Sequence, residues 1–364
     1  MRGHTLGRPW VRSPEVFSPL RRCTFQAMDA APDREYDRRE WVRQVLGEPD
    51  LELAPASSDA SFRSYWRGRR RDGHNVIVMD APPTHEDIRP WLDVAGRLRA
   101  AGLDAPEVFA SDGTRGFIAM QDLGTETYLP LLNADRVHNL YGAAIDALLR
   151  MQRHVECAGL EPYDEGRLVA EMELMPTWFL ARHLGIEPTC ADWDILESTM
   201  RMLVDSALAQ PRVFVHRDFH SRNLLNLAAG KVGIIDFQDA VCGPITYDLV
   251  SLLKDCYVAW PKAQVRQWAL NYRTRAIRAG LWPASRGESD FLRAFARMGL
   301  QRHIKVLGIF CRLCDRDGKT AYLADLPRVL DYTLDVARAD PGLTGFAALL
   351  ERAVHGRDLT QARS

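Results

Sequence analysis

The chain has 364 residues, 46% hydrophobic and 26% charged, with 47 basic against 48 acidic side chains. That length is too great for one compact core and suits two lobes. A net charge of −1 builds no field that would draw nucleic acid or an anionic membrane surface. No apolar run approaches the roughly 18 residues of a membrane span, and the best stretch, residues 249–260, is cut by Lys254 and Asp255. Seven scattered cysteines, odd in number, are unlike a disulfide framework, so a reducing cytoplasm is expected. Cys311 and Cys314 form a lone C-x-x-C in an apolar-periodic stretch and read as helical cysteines, because a zinc site would want a second pair.

Residues 1–28 are arginine-rich and acid-poor and lack the apolar centre of a secretory signal; they read as a disordered extension, with Met28 an alternative start. A short helix is expected over 37–47, carried by Trp41, Val42, Val45 and Leu46 and closed by Gly47. Two β-like runs follow, around 62–67 after a polar turn at Ser57–Ser61, and at Val76–Met79. Thr84 with Asp87 three residues on reads as a capping box, opening a helix with Ile88, Trp91, Leu92, Ala95 and Leu98 inward. Short strands around 107–110 and 116–120 come next. Beyond Gly124 the pattern is helical, apart from β-like pieces near 213–215, 224–226 and 232–235. The layout is a β-rich N-terminal lobe over 29–122, a larger helical lobe over 123–350, and a tail over 351–364.

Residues 213–239 read VFVHRDFHSRNLLNLAAGKVGIIDFQD. Phosphoryl transfer needs a carboxylate for the acceptor's proton, oxygen ligands for hard Mg²⁺, and a scaffold holding them together. Asp218 suits the first role, and Asn223 and Asp236 suit the second. Asn223 lies five positions beyond Asp218 around a tight loop, and an apolar strand delivers Asp236. H-R-D or I-D-F alone is weak; both together with x4-N between is a rare conjunction.

This segment resembles the aminoglycoside-phosphotransferase and choline-kinase branch of the kinase-like fold. The continuation through Gly243, Pro244, Asp248 and Leu249 matches that branch's I-D-F…A…G…D-L signature. Within it, DASFRSYWR, VIVMDAPP, FQDAVCGPITYDLVSLLKDCYVAWP and QRHIKVLGIF look like the bacterial anomeric N-acetylmuramate/N-acetylglucosamine kinases of cell-wall recycling. The resemblance implies an α+β, two-lobed protein-kinase-like fold, ATP and Mg²⁺ as cofactors, and an amino sugar as small-molecule partner. It implies Asp218 as base and Asn223 and Asp236 as metal ligands. His216 is expected to pack under the loop, Asp239 to assist the metal or stay solvated, and Asp248 to cap its helix and steady the loop.

The nucleotide side departs from the pattern. Kinases of this fold hold the phosphates with a third-strand lysine, but Met79 takes that place, and none of the five lysines precedes Lys231. Arg63 is the substitute expected, with Ser57, Ser58 and Ser61 standing in for a glycine-rich cradle. Met120, Gln121, Asp122 and Leu123 are expected to meet the adenine. For the acceptor, Glu173, Trp178, Tyr247 and Arg302 are the candidates, with Glu171, Phe179, His183, Gln301, His303 and Lys305 nearby. Trp178 also fits a core stripe, and Arg302 a solvated helix face. Two rivals remain at this point: the same chemistry on an aminoglycoside, choline or homoserine-like acceptor, and a nucleotide-binding pseudokinase. The first would want an acidic acceptor pocket; the second would not need Asp218, Asn223 and Asp236 together.

Overall fold

A computed structural model describes residues 32–58 and 62–362. The whole of the expected N-terminal extension, and Ser61, lie outside the described residues. The chain opens with α1 (Pro32–Leu46), then β1 (Leu53–Ser58), β2 (Ser64–Arg69) and β3 (Asn75–Asp80). After α2 (Arg89–Ala100) come β4 (Val108–Asp112) and β5 (Phe117–Gln121). The five strands form one antiparallel sheet in the order β1-β2-β3-β5-β4.

The period of two along β3 assigns its faces. Val76 and Val78 join Phe117, Ala119, Trp41 and Val42 in a small core between the sheet and α1. Ile77 and Met79 point the other way, toward the main core. Asp80, on the α1 side, accepts from Arg34 Nε and Arg38 Nη1, each at 2.8 Å. These ion pairs pin α1 across the end of the sheet.

Two sequence expectations are corrected here. β1 was not foreseen: Leu-Ala-Pro-Ala-Ser-Ser carries little β propensity, and its ladder shifts register between Pro55 and Ser57. Ser57 and Ser58 therefore end an edge strand instead of forming a turn. The second helix begins at Arg89, not Thr84. Pro90 lacks an N–H and restricts the residue before it, so the helix starts within one residue of it. Asp87 accepts from Arg89 N at 2.9 Å, and no side chain caps the helix at Ile88.

Beyond β5 the chain is mostly helical: α3 (Val137–His154), α4 (Glu165–Met172), a π-helical segment Met175–Leu184, and α5 (Cys190–Leu208). The catalytic stretch contributes β6 (Arg212–Val215), β7 (Leu224–Asn226), β8 (Val232–Ile234) and β9 (Val241–Pro244). β6 pairs with β9 and β7 with β8, two small antiparallel ribbons. Then come α6 (Tyr247–Leu253), α7 (Lys262–Arg278), α8 (Glu288–Asp317), α9 (Leu326–Ala339) and α10 (Thr344–Val354).

α8 is the axis of this lobe. Residues 298–308 are buried without interruption, including Gln301, Arg302, His303 and Lys305. Gly308 lets the π-helical segment approach closely, since a Cβ there would lie 2.4 Å from the Leu174 carbonyl carbon. Gly308→Ala is therefore expected to destabilise the fold by about 1–3 kcal/mol through overpacking. Urea unfolding checks this, and an unchanged midpoint would mean the segment moves aside freely.

Candidate active site

The catalytic loop is held by two buried carboxylates. Asp248, at the start of α6, accepts from His216 N at 2.7 Å and from Arg217 N at 3.0 Å. Burial pushes its pKa up to about 7, against the pull of those two backbone N–H groups. The expected loop-steadying role is thus visible, while the capping role is not: Thr246 occupies the N-cap and no side chain caps it. Asp255, just past α6, accepts from Ser221 N at 2.9 Å.

His216 lies under the loop. Its Nε2 faces the Ile235 carbonyl at 3.1 Å, and its Nδ1 accepts from Asp218 N at 3.3 Å. Burial lowers its pKa to about 4, so it is neutral, with the proton on Nε2. It joins the two arms of the site and is not a second base.

Asn223 ties the chemical groups together. Its Nδ2 donates to the Asp218 carbonyl at 3.0 Å and to Asp236 Oδ2 at 3.1 Å. Both amide hydrogens are engaged, which leaves Oδ1 as an acceptor. Asp236 Oδ1 accepts from Gln238 Nε2 at 2.9 Å. Arg217 and Asp236 have φ of 76° and 62°, left-handed conformations unusual for side-chain-bearing residues. Phe237 is buried against Trp91 of α2, ring centroids 5.0 Å apart, so the first lobe's helix touches the residue after Asp236.

The carboxyl of Asp218 is held well down. Burial would raise its pKa, but Lys305 first, then His220, Arg302 and Arg217, outweigh it and bring the value to about 2. Two of them, Lys305 and Arg217, are held by Glu171 of α4. Its Oε1 takes Lys305 Nζ at 3.0 Å and the Arg217 guanidinium; its Oε2 takes the Tyr163 hydroxyl and Gln301 Nε2, the latter at 3.4 Å. Burial opposes ionisation of Glu171, but Lys305 and Arg217 carry its pKa below the usual range. Lys305 Nζ also donates to Tyr247 Oη at 3.3 Å.

Between sheet and helical lobe lies a cleft of about 430 Å³. Met120, Gln121, Asp122 and Leu123 line it together with Asn223 and Asp236. Asp122 contributes through its main chain, because its carboxylate is engaged by Arg67 Nε at 2.6 Å and by Gly124 N at 2.9 Å. Arg63 is buried just ahead of β2, and Ser58 ends β1 opposite Ser64. Met79 is buried, and the inward face of α2 (Trp91, Val94, Ala95, Leu98) carries no acid. The lysine and its usual acidic partner are thus absent together, as a buried pair must be: either charge alone would be stranded.

The acceptor candidates divide. Tyr247 and Arg302 are buried, with Arg302 Nη2 on Ser251 Oγ at 2.7 Å, so a solvated face is ruled out for Arg302. Trp178 is half-buried and packs on the core. Glu173 is exposed, outside the cluster, and Glu171 fills the buried place instead. Glu171 falls with Leu168 and Met172 on the inward stripe of α4, a periodicity that singles it out. Cys311 and Cys314 are free on α8. Among the described residues no cluster of three or more His, Cys, Asp or Glu could hold a metal alone.

A β-rich lobe over a helical lobe, with an H-R-D loop bonded to an I-D-F turn through His216 and Asn223, defines a kinase-like phosphotransferase. The chain belongs to the APH phosphotransferase enzyme family, whose model matches residues 52–287. It is 46% identical over 323 residues to a Pseudomonas aeruginosa protein named N-acetylmuramate/N-acetylglucosamine kinase, covering 87% of this chain and 94% of that one. A Neisseria meningitidis protein of the same name is 38% identical over 330 residues, 90% of this chain and 98% of its own. Among solved structures, the ADP-bound aminoglycoside phosphotransferase APH(2'')-Ib superposes with a TM-score of 0.55 at 14% identity, covering 82% of this chain and 98% of that one. A Plasmodium vivax ethanolamine kinase gives 0.60 at 9% identity, covering 82% and 87%. These two likenesses speak to the fold.

Proposed function

We propose that this chain transfers the γ-phosphoryl group of ATP to the anomeric C1 hydroxyl of N-acetylmuramate and N-acetylglucosamine, in cytoplasmic peptidoglycan recycling. The observation that carries the reading is 46% identity over 323 residues to a protein of that name, together with the single cleft that Asn223 and Asp236 share. No helix among the described residues is long and apolar enough to cross a membrane.

Arg217, Arg302 and Lys305 stand near Asp218, basic groups of the kind that suit the carboxylate of N-acetylmuramate.

Asp218 is the proposed base. A carboxylate held near 2 is ionised at every working pH and a weak proton acceptor. It orients the C1 hydroxyl and takes its proton late, as the new O–P bond forms and the bond to ADP breaks. The Asn223 amide oxygen and Asp236 carboxylate would hold Mg²⁺, a hard-oxygen donor pair suited to an ion that arrives with the phosphates. When bound, that ion offsets charge on the β- and γ-phosphates.

Arg63 is the proposed phosphate clamp; Arg67 lines the cleft, but Asp122 already holds it. Arg63→Ala is expected to raise the ATP KM or lower kcat by about tenfold, one charge-assisted contact. Unchanged steady-state kinetics would assign the phosphates to another group. The function itself is tested by following ADP release with N-acetylmuramate, N-acetylglucosamine, kanamycin and choline in turn. Release should depend on either amino sugar, and dependence on kanamycin or choline alone would overturn the reading.

A further inference from the structure

N-acetylmuramate differs from N-acetylglucosamine by a lactyl ether, and so by one carboxylate. An enzyme that takes both sugars has to meet that carboxylate without depending on it. A buried cation reserved for it would be stranded by N-acetylglucosamine, and sites of that kind reject the analogue lacking the group. The group that reads the carboxylate should therefore be exposed, close to Asp218, and not already paired.

Three cations near Asp218 do not qualify. Lys305 and Arg217 share the Glu171 carboxylate. Arg302 is buried, and its Nη2 donates to Ser251 Oγ at 2.7 Å. A fourth does qualify. Arg222 lies in the catalytic loop next to Asn223 and is exposed. Among the described residues it makes no ion pair and no side-chain hydrogen bond. Its guanidinium rests over the Tyr257 ring, Cζ 3.6 Å from the ring centre. A guanidinium held on a ring face keeps its N–H edge available to a carboxylate.

The frame around it is fixed. Ser221 N donates to one oxygen of Asp255 at 2.9 Å and Tyr257 N to the other at 3.0 Å. One carboxylate thus ties the residue before Arg222 to the residue whose ring carries the guanidinium. Asn223 lines the cleft between the lobes, but Asp218, Arg222 and Tyr257 do not. Tyr257 meets the ring of His220 at 5.5 Å and that of Phe310 on α8 at 6.3 Å. The same helix supplies the Lys305 and Arg302 that act on the Asp218 carboxyl. Arg222 therefore stands on the α8 side of the loop, where an acceptor would approach Asp218.

We infer that Arg222, resting on Tyr257, binds the lactyl carboxylate of N-acetylmuramate and sets the preference between the two sugars. The inference rests on the sugar-kinase reading given above. With N-acetylglucosamine the guanidinium stays on its ring and in water, so the missing partner costs little.

Arg222→Gln, which removes the charge, is compared with the unmodified full chain in steady-state phosphorylation of both sugars. The ratio of kcat/KM for N-acetylmuramate to that for N-acetylglucosamine should fall about fivefold or more, the worth of one charge-assisted contact in a partly solvated place. Arg222→Glu should depress the ratio further. The ratio is the readout because Arg222 adjoins Asn223, and damage to the loop would lower both rates together. A ratio that stays put, whether the two rates hold or fall in step, would overturn the inference and leave the sugar-kinase reading standing. Phosphorylation of neither sugar by the unmodified chain would overturn both. If the Arg222 variants do not fold, the unmodified chain decides. Added potassium chloride should raise the KM for N-acetylmuramate more than that for N-acetylglucosamine, because an exposed pair is screened. Equal salt dependence would overturn the inference.

Discussion

Asp218→Asn is expected to lower kcat for sugar phosphorylation by roughly 10²–10⁴-fold, the usual worth of a positioned general base. The substitution keeps the side chain's size and leaves the main-chain contacts of the loop: the Asp218 carbonyl still accepts from Asn223, and its N–H still meets His216. ADP affinity, if the nucleotide sits as proposed in the cleft that Met120–Leu123 line, should therefore hold. Single-turnover kinetics beside an ADP titration separates the two. Near-normal turnover would remove Asp218 from the chemistry, and equal loss of turnover and ADP binding would show that the loop had collapsed.

The second large effect is on stability. Glu171→Ala strands Lys305 and Arg217, both partly or wholly buried, without their shared carboxylate. Breaking a buried pair from one side costs about 3–5 kcal/mol. The pH dependence has a definite sign. Glu171 has a folded pKa below its ordinary 4.5, so its contribution is present above that value and disappears as pH falls through the folded one. The gap in unfolding free energy between the unmodified chain and Glu171→Ala should be widest above pH 4.5 and narrow on acidification. A gap under about 1 kcal/mol at pH 7, as for an exposed ion pair, would show that the cluster is solvated in solution.

How much of this the sequence carries depends on how local the determinant is. Asp218, Asn223 and Asp236 fall within one short stretch, and the spacing of loop, strand and turn brings them together without help from the rest of the chain. Strands β3, β5, β7 and β8 announce themselves by apolar runs between turn residues. The Glu171 cluster is different. Lys305 stands 134 positions from Glu171 and 58 from Tyr247, and only the packing of α8 joins them. A periodicity count on α4 separates Glu171 from Glu173, but the exposure of one and the burial of the other is decided by α8. β1 is hidden for another reason: its pairing with β2 comes from the ladder and not from its own small side chains. Met79 was legible as a departure, and the structure supplies the reason it is tolerated, an α2 face with no acid to leave unpaired.

The site of phosphorylation on the sugar is the point on which the account turns. The chain, incubated with ATP, Mg²⁺ and N-acetylglucosamine labelled with ¹³C at C1, should yield a product whose C1 resonance is split by phosphorus and no longer interconverts between anomers. A C1 signal without phosphorus coupling, while ATP is consumed, would contradict it.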